Sequence, residues 1–172
     1  MSPEKDPVKR DDKNFMLRAV TNDNTGLSYA SPRLKDDKEL VLVAVSKNGN
    51  ALEHASERLK DEKEVVLAAV ANDGSVLKFA SDRQSDDEEV VMVAVPPDDC
   101  YFGRHLRGDV DTCSTPFQFA SPRLKEILEF AIDLVAKNPN TFSELLIRLR
   151  DNREVTLAAI TRNRDSTRIG IR

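Results

Sequence analysis

Five arginines recur at one position of a repeating pattern, and their side chains have the clearest potential for chemistry in this chain. They are Arg33, Arg58, Arg83, Arg123 and Arg148. Guanidinium groups bind carboxylates and phosphates through paired hydrogen bonds, so a stacked row of them could bind an acidic peptide or another anionic ligand. Alternatively, each Arg pairs with the nearby Asp and Glu residues, or donates to the carbonyls that end its own short helix. We favour this structural role, because positions that align between repeats mostly serve the contact from repeat to repeat.

A second row consists of acidic residues. Its first position holds Asp11, Asp36, Asp61, Asp86, Glu126 and Asp151, and three residues later come Asn14, Glu39, Glu64, Glu89, Glu129 and Glu154. Paired carboxylates can act as acid and base. However, Asp followed three residues later by Glu, just before an apolar run, is the pattern of a capped helix N-terminus. We therefore predict that this row caps helices.

A third group lies in the segment 96–116, which interrupts the pattern. It contains Cys100, Tyr101, Phe102, His105 and Cys113. The two cysteines could pair in an oxidising compartment, but the spacing C-x4-H-x7-C matches no strong zinc motif, and we predict no metal site. Tyr101, Phe102 and His105 are instead candidate anchors for a partner, since exposed aromatic residues dominate the energy of many interfaces.

The elements that must position these residues repeat every 25 residues. Ala-Ser occurs at 30–31, 55–56 and 80–81, and returns at 120–121. A fixed short period is typical of a solenoid, in which each repeat buries its apolar face against its neighbours. We predict a flexible N-terminal arm over 1–10 and a single helical-repeat domain over 11–172. Its repeats are 11–35, 36–60, 61–85, 86–125 with the insertion at 96–116, 126–150, and a partial 151–172.

The repeats are predicted to be helical, and the fold class all-α: an α-solenoid of short helix-turn-helix repeats. The run Leu40–Val45 by itself also fits a buried strand, but the fifth copy decides for a helix. There Ile127, Phe130, Ala131, Leu134 and Val135 follow helical spacing. A second, shorter helix is expected to follow each first one.

Two local predictions concern the ends of these helices. Asn48-Gly49 and Asp73-Gly74 are expected to end the first helix with left-handed backbone. Because no Asp interrupts the junction between the fourth and fifth repeats, Pro122 to Lys137 is expected to form one continuous helix.

The tandem pattern D-x-E-V-V-L-A-A-V-x-N-x-G-x-x-L-x-x-A-S resembles the helical repeats of the domain of unknown function family 4116. The resemblance covers residues 11–95 well and 117–161 more loosely. It implies a helical repeat fold, and it brings no catalytic residues to this chain.

Composition narrows the possible functions. The chain has 26 basic and 30 acidic residues, a net charge of −4, which argues against general nucleic-acid binding. No apolar run approaches the ~20 residues of a membrane span, and we expect a soluble protein inside the cell, most simply in the cytoplasm.

No catalytic motif is found. We therefore predict no enzyme activity and no cofactor, but a scaffold for protein–protein interaction or a subunit of a larger assembly. The alternative is a binder of an anionic ligand or nucleic acid along the Arg row.

Overall fold

A computed structural model of the chain describes residues 7–22, 26–96 and 115–167, and all regular structure in these ranges is helical. The α-helices are α1 (Pro7–Arg10), α2 (Lys13–Asn22), α3 (Pro32–Lys35), α4 (Lys38–Lys47), α5 (Glu57–Lys60), α6 (Lys63–Asn72), α7 (Asp82–Ser85), α8 (Glu88–Ala94), α9 (Leu128–Lys137), α10 (Ile147–Arg150) and α11 (Arg153–Thr167). The predicted all-α repeat fold is confirmed.

The repeats 11–35, 36–60, 61–85 and 126–150 each consist of a long α-helix, a 3-10 helix and a one-turn α-helix. The 3-10 helices at this place are Gly26–Tyr29, Gly49–His54, Gly74–Phe79, Pro116–Phe119 and Pro139–Glu144. The predicted second helix of each pair is thus a 3-10 helix, and the residues after Ala-Ser form a separate turn of α-helix. Ser31, Ser56 and Ser81 cap this turn, because each side chain accepts from the backbone N–H three residues later.

The chain divides into two compact modules, Met1–Ala94 and Val95–Arg172. In the N-terminal module α2, α4, α6 and α8 pack against one another in chain order. Helix α4 buries Leu40, Val41, Ala44 and Val45, which form two adjacent pairs one helical turn apart. The helix contacts both α2 and α6. Because Ala and Val fill most of these positions, little side-chain entropy is lost when the helices pack.

The long helices begin one residue later than the acidic row predicts. Asp37, not Asp36, caps α4 by accepting from Leu40 N, and Asp87 accepts from Val90 N at the start of α8. Asp36 and Asp61 are instead the C-cap residues of α3 and α5. The capping-box prediction is therefore wrong in register, because the first acid of each pair serves a contact with the next repeat.

The prediction of left-handed backbone after the long helices is also wrong. Asn48 is extended, with φ −145° and ψ 107°, and its side chain accepts from Asn50 N to cap the following 3-10 helix. Gly49 is required for another reason. A Cβ atom at this position would lie 2.8 Å from the carbonyl oxygen of Ala69 in the next repeat. The glycine therefore permits the close approach of neighbouring repeats.

The C-terminal module repeats the same elements, with α9 packed on α11. Pro122 to Lys137 is not one helix. A short 3-10 turn, Leu124–Glu126, ends at Ile127, which has extended backbone and precedes α9. The break lets Leu124 occupy the buried position that Leu34 and Leu59 hold in earlier repeats. Packing of the repeat thus overrides the local helical preference of the segment.

Candidate interaction surfaces

Four members of the Arg row, Arg33, Arg58, Arg83 and Arg148, lie on the one-turn helices, where each bridges to the repeat before it. Arg58 donates from Nε to Asp36 Oδ1 at 3.0 Å and from NH2 to Asp36 O at 2.8 Å. Arg33 makes the same two contacts with Asp11, at 3.0 and 2.7 Å. Arg83 pairs with Asp61 at 3.0 Å and Arg148 with Glu126 at 2.9 Å. Arg123 is exposed, and it too has an interaction within the chain.

The Ala-Ser serine completes the bridge. Ser31 Oγ donates to Asp11 Oδ1 at 2.5 Å, Ser81 Oγ donates to Asp61 Oδ1 at 2.6 Å, and Ser56 donates likewise to Asp36. The hydrogen bonds from Ser and Arg lower the pKa of each of these three carboxyls. An Asp–Ser–Arg bridge therefore joins neighbouring repeats in the N-terminal module, through side chains that also stay accessible to solvent.

A second row of bridges, formed by lysines, escaped the sequence analysis. Lys13 Nζ lies 2.8 Å from both Asp37 Oδ2 and Glu39 Oε2. The same contacts join Lys38 to Glu62 and Glu64, and Lys63 to Asp87 and Glu89. The acidic hydrogen-bond partners raise the pKa of all three lysines. The signal was visible as Lys at 13, 38 and 63, each flanked by polar acceptors one residue away.

In the C-terminal module Glu144 stands where the other repeats carry Tyr29, His54, Phe79 and Phe119. It accepts from the backbone N–H and from Oγ1 of Thr115. Burial raises the pKa of Glu144, although the Thr115 hydrogen bonds and the charge of Lys125 oppose the shift. Lys125 donates to Gln118 O at 2.6 Å, and burial lowers the pKa of its amine. The contact of Glu144 with Thr115 joins two successive repeats.

Exposed apolar side chains concentrate in the last part of the described chain. Leu146 is 40% exposed, Ile147 69%, Leu157 50% and Ile160 48%. Leu146 occupies the position that holds Ser31, Ser56, Ser81 and Ser121 elsewhere, and it makes no side-chain cap for α10. This departure could have been found from the sequence by comparing the fifth copy with the others.

The remaining sequence-predicted candidates belong to the inserted segment 96–116. Cys100, Tyr101, Phe102, His105 and Cys113 lie outside the described residues. Among the residues that are described, no cluster of His, Cys, Asp or Glu could hold a metal ion. None of the described helices is long and apolar enough to cross a membrane.

These features define an all-α repeat protein whose 25-residue repeats stack through helix faces and repeated polar bridges. Residues 12–60 and 62–95 match the model of the domain of unknown function DUF4116 as two tandem copies, so this part of the chain is similar to that family. The resemblance predicted for residues 11–95 is confirmed, and the looser one over 117–161 stays a prediction. Comparisons with curated proteins and with solved structures give no significant match.

Proposed function

We propose that this protein is a non-catalytic intracellular scaffold that binds another protein through the exposed apolar residues Leu146 and Ile147. The observation that carries this proposal is their position in the repeat. Equivalent positions hold Ser and then Pro, Glu or Asp in the four other complete repeats. Scattered apolar residues on a surface are ordinary, but this adjacent pair replaces polar residues that the repeat otherwise uses.

The replacement also costs stability. Loss of the Ser cap removes a hydrogen bond to the first turn of α10, an effect of about 0.5–2 kcal/mol in other helices. It also leaves Glu126 without the hydroxyl donor that Asp36 and Asp61 receive. A residue pair that weakens its own helix and exposes apolar surface is best explained by a partner that covers it.

The alternative, an anionic ligand along the Arg row, has weaker support. The Nε and NH2 groups of Arg33 and Arg58 already donate to Asp11 and Asp36. A ligand would have to share these guanidinium groups with the bridges that join the repeats.

The deciding experiment restores the repeat sequence at the proposed site. Leu146→Ser with Ile147→Pro recreates the Ser-Pro-Arg-Leu found at 31–34 and 121–124. This variant should fold at least as stably as the wild type, since it regains a cap. In an affinity capture from native lysate with mass spectrometry, we expect it to lose a stoichiometric protein that the wild type retains.

Matched controls separate this site from the others. Val8→Ser removes an exposed apolar residue of α1 and should leave binding unchanged. A variant with Arg58, Arg83 and Arg123 changed to Ala tests the anionic alternative, and one lacking 97–114 tests the inserted segment while keeping Thr115. Capture that survives the restored sequence would overturn the proposal. Nucleic acid or a metabolite lost only with the Arg variant, and released by salt, would favour the alternative.

A further inference from the structure

The two outer helices of the stacks, α2 and α11, present complementary faces. Equivalent positions show which side of a long helix meets which neighbour. Val45 and Val70 are 0% and 2% exposed in α4 and α6, yet Ile160, at the same position of α11, is 48% exposed. This position is therefore covered by the repeat that follows. Conversely, Phe15 of α2 is only half-buried where Leu40 is fully buried, so this position is covered by the repeat that precedes.

The polar contacts between repeats have the same direction. A Lys at the start of one long helix donates forward to acids 24 and 26 residues later. Arg153 occupies this Lys position in α11, is exposed, and has no ion-pair partner among the residues described. In the other repeats, the acids that pair with this Lys are the second and fourth residues of the next repeat. The residues at these two positions of the first repeat are Asp12 and Asn14. Asp12 makes no described ion pair, and Asn14 is exposed.

We infer that the chain self-associates head to tail, with α11 of one copy packed on α2 of a second copy. Ile160 and Thr156 would cover Phe15, while Arg153 would donate to Asp12 and Asn14 as Lys38 donates to Glu62 and Glu64. We assign the partner of α11 to a second copy of this chain, because α2 carries both an apolar residue and hydrogen-bond acceptors at the positions where the next repeat would carry them. Such a contact is heterologous, so it extends into open chains unless its rotation closes a ring. It goes beyond the proposed function, since it uses neither Leu146 nor Ile147.

The test measures association of the purified full chain by sedimentation velocity over a range of concentrations. The wild type is expected to increase in mass with concentration. Ile160→Glu places a charge in the apolar contact and should weaken association by about tenfold or more, and Arg153→Glu should weaken it roughly fivefold. Each substituted side chain is exposed, so the fold should persist, which circular dichroism checks.

A gain of function makes the inference specific. Asn14→Glu restores the acid that Glu39, Glu64 and Glu89 supply in other repeats and should strengthen association. That gain should disappear when Arg153→Glu is added, because the new acid would then face another acid. A wild type that stays monomeric at about 1 mM, or a gain from Asn14→Glu that persists without Arg153, would overturn the inference. The variant with Leu146→Ser and Ile147→Pro should associate like the wild type, which keeps this test separate from that of the proposed function.

Discussion

At the scale of single residues, Gln84 departs most clearly from its repeat. Leu34, Leu59, Leu124 and Leu149 occupy the equivalent buried position. The Gln84 side chain donates from Nε2 to the carbonyl oxygen of Asp61 at 2.7 Å. Arg33 and Arg58 donate to the equivalent carbonyl oxygens, those of Asp11 and Asp36. Its Oε1 is buried and accepts no hydrogen bond. The amide therefore contributes one contact and leaves one polar atom unsatisfied.

Gln84→Leu is expected to stabilise the N-terminal module by about 1 kcal/mol, because an unsatisfied buried oxygen is removed and apolar packing is restored. Arg83, which is exposed, can then donate to Asp61 O as Arg33 and Arg58 donate to Asp11 O and Asp36 O. Urea denaturation measures the change. The reverse exchange in the neighbouring repeat, Leu59→Gln, serves as the control and should destabilise. Equal effects of the two substitutions would contradict this account.

At the scale of elements, the residue that precedes a long helix performs two tasks at once in α4 and α8. Asp37 and Asp87 cap their helices and also pair with the Lys of the preceding repeat. Glu62 does only the second: it pairs with Lys38 but makes no cap for α6. Its longer side chain reaches the lysine, and α6 lacks the hydrogen bond from its first turn.

Glu62→Asp should therefore stabilise α6, because Asp at this position both caps the helix and reaches the Lys in two other repeats. We expect the unfolding temperature to rise by roughly 2–4 °C. Thermal unfolding followed by circular dichroism tests this. Glu62→Gln removes the charge without adding a cap and should lower the unfolding temperature, whereas a rise with Gln would point to charge alone.

Part of the arrangement of helices could be predicted from the sequence alone. The period, the helical nature of Leu40–Val45 and the separate turn after Ala-Ser follow from aligned copies, because repeat packing imposes the same demands each time. The requirement for glycine at position 49 does not follow, since it depends on the close approach of Ala69 O in the next repeat. Arg33, Arg58, Arg83 and Arg148 pair with acids, as the structural alternative for the Arg row predicts, and a binding role for the row stays a prediction. The Lys bridges were missed because their partners are 24 and 26 residues away, beyond the range of capping rules.

At the scale of the whole molecule, the charge rows set how stability depends on pH. The lowered pKa of Asp11, Asp36 and Asp61 means that their contribution is present above about pH 3.9 and is lost as pH falls below it. The raised pKa of Lys13, Lys38 and Lys63 means that theirs is present below about pH 10.4 and is lost above it. Both rows therefore contribute fully across the neutral range.

Glu144 acts in the opposite sense, and its removal should change the pH profile. Because burial raises the pKa of Glu144, its contribution to stability falls as pH rises from about 4.3 through the folded-state pKa. Glu144→Gln should thus gain unfolding temperature over the wild type as pH rises from 4 to 7. Scanning calorimetry at several pH values measures the difference. Glu154→Gln, a substitution of an exposed Glu of α11, is the control, and a difference that does not vary with pH would contradict the prediction.

The bridges between repeats join residues at fixed separations along the chain, and this affects how the gene can gain or lose whole repeats. If residues 61–85 were removed as a block, Lys38 would meet Asp87 and Glu89 at the same separations along the shortened chain, while Asp36 would keep Ser56 and Arg58. The two carboxylates that pair with Lys38 would thus be replaced by two other carboxylates. Genes for such chains can therefore gain or lose 75 nucleotides at a time, and the product still forms the Lys and Asp bridges, so the number of repeats is free to vary while these ion pairs are kept.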